Sequence, residues 1–162
     1  MTLFSFWEKE MNRNLTLLCI FLLMAGGLTS GCRPEGEPKA VEVNFEQLFS
    51  SPAKYDGKEV MLEGFYFDGF EVQVIAEELE YSGYVEGHLV PGGRYLWIEG
   101  GIPAQIYNQL YRQSMMGPEE RYGKVRIEGK FEYGGKYGHG GGYNSQIIPL
   151  AVELLSWSPP LQ

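Results

Sequence analysis

From Val60 onward, apolar side chains recur at every second residue in several separate runs, the period of a strand with one face buried. In "KYDGKEVMLEGFYF" a turn at Asp56-Gly57 leads to Val60, Leu62 and Gly64 on one face and Met61, Glu63 and Phe65 on the other. "FEVQVIAEE" repeats the alternation through Phe70, Val72, Val74 and Ala76, and the Asp68-Gly69 pair before it predicts a hairpin between the two strands. After a Gly- and Tyr-rich loop over 79–93, "RYLWIEG" sets Leu96 and Ile98 against Tyr95 and Trp97 and predicts a third strand. The cleanest pattern is "YGKVRIEGKFEYGG": Val125, Ile127, Gly129, Phe131 and Tyr133 oppose Lys124, Arg126, Glu128, Lys130 and Glu132. "SQIIPLAVELLSW" is the fifth strand, with Pro149 predicting an edge position or a break.

Two segments carry helical signals instead. In "VNFEQLF" Asn44 and Gln47 have capping-box spacing, Val43 and Leu48 occupy staple positions, and Pro52 ends the helix. In "PAQIYNQLYRQ" Pro103 suits the first helical position, and Ile106, Tyr107, Leu110 and Tyr111 share one face that would plug an end of the sheet before Gly117-Pro118. The order is three strands, a helix, then two strands. Gly64 and Gly129 sit mid-strand in the first and fourth, where a sheet closing on itself needs a bulge or a tight coil. The expected fold is therefore all-β with one or two short helices, a five-stranded OB-fold Greek-key barrel.

The first 31 residues break this pattern. Arg13 precedes the apolar run "LTLLCIFLLMAGGL", which is shorter than the roughly 20 residues a spanning helix needs, and "LTSGC" follows it. The stretch before Met11 holds two Glu, so the basic start of a signal fits Met11 better than Met1. Leu28 to Cys32 resembles the lipobox of bacterial lipoproteins, with Thr29 where a larger aliphatic residue is usual. This implies a lipoprotein signal peptide over 1–31, an acylated Cys32 and a Pro-, Gly- and charge-rich tether over 32–42. An OB-fold domain over 43–158 and a short tail over 159–162 follow. Cys19 lies in the cleaved segment, so the mature domain keeps no thiol for a disulfide, a nucleophile or a metal.

Charge narrows the partners. The signal segment is neutral in sum, so the mature domain keeps the whole formal charge of −8. Such a domain repels nucleic acid and anionic headgroups, leaving the lipid as its hold on the membrane. The expected place is the extracytoplasmic face of a cell membrane or outer membrane. Arg33 after the cysteine lacks the aspartate that marks inner-membrane retention.

The phrases "PAKYDGKEVMLEGFYF", "YGKVRIEGKFEYGGKYGHGGGYNSQI" and "VELLSW" resemble a family of small bacterial OB-fold lipoproteins. That resemblance covers the domain from about Val43 to Trp157. It implies the fold and the compartment, and it supplies no catalytic residue.

Candidate chemistry is sparse. The glycines of "GKFEYGGKYGHGGGYN" form neither a G-x-x-x-x-G-K-[ST] loop nor a G-x-G-x-x-G turn opening a helix, so Gly134 to Gly142 reads as a connector between strands. There is no G-x-S-x-G. The aromatic surplus carries more: Tyr66, Tyr95, Trp97, Tyr133, Tyr137 and Tyr143 fall on strands and loops of the region where OB-folds bind, as a stacking surface for a saccharide, a peptide or an envelope protein. The leading expectation is a non-catalytic binding or assembly module without a cofactor. The alternative is a metal- or haem-handling protein using His88 and His139 with Glu86, the two histidines being the only ones in the chain, although no haem-attachment motif accompanies them.

Overall fold

The structure, a computed structural model, describes residues 40–160 except Met116. The expected signal peptide over 1–31, Cys32, the expected tether up to residue 39 and residues 161–162 lie outside the described residues. Those that are described belong to one compact unit, Pro38–Gln162.

The fold is mostly β. Strand β1 (Val41–Val43) leads into helix α1 (Phe45–Ser50) and a 3-10 turn (Pro52–Lys54), followed by β2 (Glu59–Gly69), β3 (Val72–Tyr81) and β4 (Leu89–Ile98). A single helical turn, α2 (Ala104–Tyr107), precedes β5 (Tyr111–Gln113), the long β6 (Glu120–Tyr137), a 3-10 turn (His139–Gly141) and β7 (Tyr143–Leu154). The strands form one sheet in the order β1-β2-β3-β4-β7-β6-β5, and β2 also pairs with β6. That pairing closes β2, β3, β4, β7 and β6 into a ring of five, antiparallel throughout except for β4 beside β7.

Alternation decides which faces turn inward. Val60, Leu62 and Tyr66 of β2, Ile75 of β3, Leu96 and Ile98 of β4, and Val125, Ile127 and Phe131 of β6 meet in the core with Leu48 of α1. Helix α1 begins as its sequence predicts: Asn44 Oδ1 accepts from Gln47 N–H at 2.8 Å, and Gln47 Oε1 accepts from Asn44 N–H at 3.1 Å. Two mid-strand glycines let elements approach closely. A Cβ at Gly64 would lie 2.7 Å from the Ala76 carbonyl oxygen, and one at Gly129 would lie 2.5 Å from that of Ile148. The β6–β7 register shifts at Glu128/Gly129, opposite Pro149, so the proline sits at an irregularity.

Several boundaries move. Val41 and Glu42, expected within the tether, form with Val43 a strand that pairs in parallel with Val60–Leu62. The first hairpin turns at Phe70 and Glu71, not at Asp68-Gly69, because Gly69 already pairs with Val72. Glu71 takes a φ of 61° there, and Phe70 is exposed instead of sharing a buried face with Val74. The helix expected over 103–113 stops after one turn, and Tyr111–Gln113 pairs with the start of β6 instead. The loop expected over 79–93 is largely strand. Its β3–β4 hairpin bends at a register shift between Ala76 and Glu78, where Gly93 has a φ of 63°. Beyond the bend the hairpin forms an arm that reaches β5 and β6: Gln113 Nε2 donates to Leu89 O, and Gln113 Oε1 accepts from Leu89 N–H at 3.0 Å.

Candidate ligand-binding site

One row of side chains crosses the outer face of the ring. Tyr122 of β6 lies beside Phe67 of β2, Phe67 beside Val74 of β3, and Val74 beside Trp97 of β4. Over most of its length this row is covered. Leu79 and Leu89 of the arm and Trp157 near the C-terminus pack on Phe67, Val74 and Tyr122 as a second apolar cluster. The Trp157 ring meets Phe65, Tyr111 and Tyr122 edge-on, with centroids 5.1, 5.7 and 6.2 Å away. Only the Trp97 end stays partly open. There Tyr143 packs 5.3 Å from the indole and 6.2 Å from Tyr95, which is 45% exposed.

Beside Trp97 lies an open cleft of about 290 Å³, lined by Asp68, Glu71, Val72, Gln73 and His139 as well as the indole. The β2–β3 turn forms one wall, and the glycine-rich connection between β6 and β7 forms the other. That connection needs glycine at Gly138 for two reasons: its φ is 68°, and a Cβ would sit 2.7 Å from Trp97 Cδ2. His139 Nε2 lies 3.3 Å from Glu71 Oε2, so the two walls meet through an ion pair when the histidine is protonated. Trp97 Nε1–H donates to Glu99 Oε2 at 3.0 Å.

Behind the cleft a polar chain holds Asp68 in place. Tyr107 donates its hydroxyl proton to Asp68 Oδ2 at 2.7 Å, and Gln73 Nε2 donates to the Tyr66 hydroxyl at 3.2 Å and to Asp68 Oδ1 at 3.5 Å. The Arg121 guanidinium stacks 4.9 Å from the centre of the Tyr107 ring. Burial, with the Asp68 carboxylate adding to it, pushes the Tyr66 hydroxyl far above the usual phenol range. The hydrogen bond to Asp68 raises Tyr107 as well. Both phenols therefore stay neutral, and Tyr107 remains a donor. The arrangement offers a flat aromatic surface, fixed carboxylates and an amide, the parts needed to hold and orient a ligand.

The aromatic residues singled out in the sequence divide into groups. Tyr95, Trp97 and Tyr143 pack together, Trp97 lining the cleft and the other two lying beside it. Tyr66 is fully buried in the core and presents no surface to a ligand. Tyr133 lies elsewhere, by a small pocket with Phe49 and Pro52, its N–H donating to Asp56 Oδ1 at 2.9 Å. Tyr137 pairs with Tyr143 in the β6–β7 ladder. Asp68, Glu71, Gln73 and Tyr107 escape the sequence reading, because Asp68-Gly69 carries the turn signal two residues ahead of the actual turn and Tyr107 has only the spacing of helix packing.

The ligand set of His88, His139 and Glu86 does not assemble. The arm carries His88 to β6, where it is 5% exposed and its Nε2 lies 2.9 Å from Glu120 Oε2. His139 faces Glu71 at the β2–β3 turn, and Glu86 is exposed on the arm. Among the described residues no three His, Cys, Asp or Glu side chains gather as a metal-holding group.

Comparison with protein-family models, with curated proteins and with solved structures gives no match.

Proposed function

We propose that this chain is a membrane-anchored, extracytoplasmic lipoprotein whose OB-fold domain is a non-catalytic binding module, with the Trp97 cleft as its ligand site. The position of that cleft in the strand ring carries the reading. Numbered in chain order, the ring strands neighbour one another as 1-2-3-5-4-1, the order of an OB-fold. The cleft lies at strands 2 and 3, between the turn joining strands 1 and 2 and the connection joining strands 4 and 5. OB-folds take oligosaccharides and oligonucleotides at that face and those loops, and the charge of −8 disfavours the second class. A saccharide, a peptide or a segment of an envelope protein remains. Resemblance to small bacterial OB-fold lipoproteins supports the fold and the compartment, and "LTSGC" supports acylation at Cys32. Because one acyl chain anchors only marginally, the several chains of a lipoprotein would hold the domain at the surface.

The test uses the full chain in a bacterial host, with a photo-crosslinking amino acid placed at Tyr95 or, away from the cleft, at exposed Lys58. A discrete adduct from position 95 and none from 58 is expected; no adduct, or the same adducts from both, overturns the site. In the same cells Cys32→Ala should lose fatty-acid label and leave the membrane fraction. Retained label would end the lipoprotein reading.

A further inference from the structure

We propose that the Trp97 cleft receives an arginine side chain from a partner polypeptide. This rests on the cleft being the ligand site, and it names the chemistry that the site selects. The indole N–H is already committed to Glu99, and Trp97 is the aromatic ring lining the cleft, a group that attracts a cation by its π-electrons. The two carboxylates of the cleft have no lysine or arginine in its lining. Asp68 takes its hydrogen bonds from the neutral Tyr107 hydroxyl and Gln73 amide, and the ion-pair partner of Glu71 among the described residues is His139. The nearest arginine of the network is spent elsewhere: Arg121 Nε donates to Glu119 Oε1 at 2.8 Å while its plane covers Tyr107.

Neither the carboxylates nor the ring would select a ligand alone; what matters is that both face one opening. A planar guanidinium can lie against the indole while its fork of N–H donors reaches carboxylate oxygens, whereas an ammonium is a point charge without that plane. The formal charge of −8 steers cations towards the domain as a whole. A polypeptide is the source that the neighbouring backbone suits. β4 pairs with β7 at Trp97 and Ile98 and is bonded by Gln113 at Leu89, and among the described residues no strand pairs with that edge between them, so an extended chain can lie along it beside Tyr95 and lead to Trp97.

The experiment titrates the full-length lipoprotein in neutral detergent with three capped peptides that differ at one position: arginine, lysine, or citrulline, the uncharged isostere of arginine. Arginine is expected to bind about tenfold or more tighter than citrulline, with lysine between them, and to weaken as salt rises. Trp97→Ala should remove the binding. Glu71→Gln, a change at an exposed turn residue that leaves the fold intact, should weaken arginine several-fold and leave citrulline unmoved. Equal affinity for arginine and citrulline overturns the inference, as does arginine binding that survives both substitutions. A neutral tetrasaccharide that binds, and is lost in Trp97→Ala, while the arginine peptide does not bind would leave the ligand site standing and overturn the arginine. Failure of every probe, together with no crosslink from position 95, would overturn both.

Discussion

Tyr66 carries a hydroxyl into the core, where Gln73 donates a hydrogen bond to it. Its ionisation is suppressed by burial first and by the nearby Asp68 carboxylate second. An unfolded chain has no such burial, so its tyrosine loses a proton near pH 10 while the folded protein keeps it. The stabilisation is fully present below pH 10 and is lost as pH rises beyond it, by about 1.4 kcal/mol per pH unit for one such group. Tyr66→Phe should therefore shallow the alkaline loss of stability by about that slope, read from urea melts of both proteins between pH 9 and 11. Parallel profiles would mean that the hydroxyl titrates as freely in the folded state as in the unfolded one.

At the scale of elements, the β3–β4 arm is the feature that most alters the molecule's surface. Its bend exists because the register slips at Ala76/Glu78 opposite a glycine pair, and its docking exists because Gln113 supplies both a donor and an acceptor to Leu89. Those are buried backbone groups, and leaving them unpaired costs about 1–3 kcal/mol each way. Gln113→Ala should loosen the arm locally. Hydrogen exchange at 79–91 should quicken while β2, β6 and β7 stay protected, because the ring has its own ladder of pairs. Uniform loss of protection would show that arm and ring open as one unit.

For the whole molecule, closure of the ring concentrates the risk at its centre. Ile127 is fully buried and stands between Leu62 of β2 and Val152 of β7 in the ladder. Ile127→Asp puts a carboxylate there without a partner and should cost several kcal/mol, enough to unfold a domain of this size at ordinary temperature. Loss of the cooperative thermal transition is the expected reading, and an unchanged Tm would mean that the faces of β6 are inverted. The outer face of the same strand behaves differently, since Arg126 there sits between Glu63 and Glu153 in partly exposed ion pairs.

Period-two alternation is a local property, and it alone determined the inward faces of β2 and β6, as the Asn44–Gln47 spacing alone determined the start of α1. The cleft depends on contacts between residues far apart in the chain. Trp97 meets Tyr143 and Gly138 only because β4 and β7 become parallel neighbours when the ring closes, and Glu71 meets His139 only because the β2–β3 turn then lies beside the β6–β7 connection. The arm was hidden for a related reason: "PGGR" has the composition of a loop, and pairing with β3 overrode it. Tyr66 and Tyr95 look alike as tyrosines on alternating strands, yet one is core and the other surface. Their parity is already in the alternation, Tyr66 with Val60 and Leu62 and Tyr95 against Leu96 and Ile98, but which distant residues each then meets is set by register between strands, which only the assembled sheet specifies.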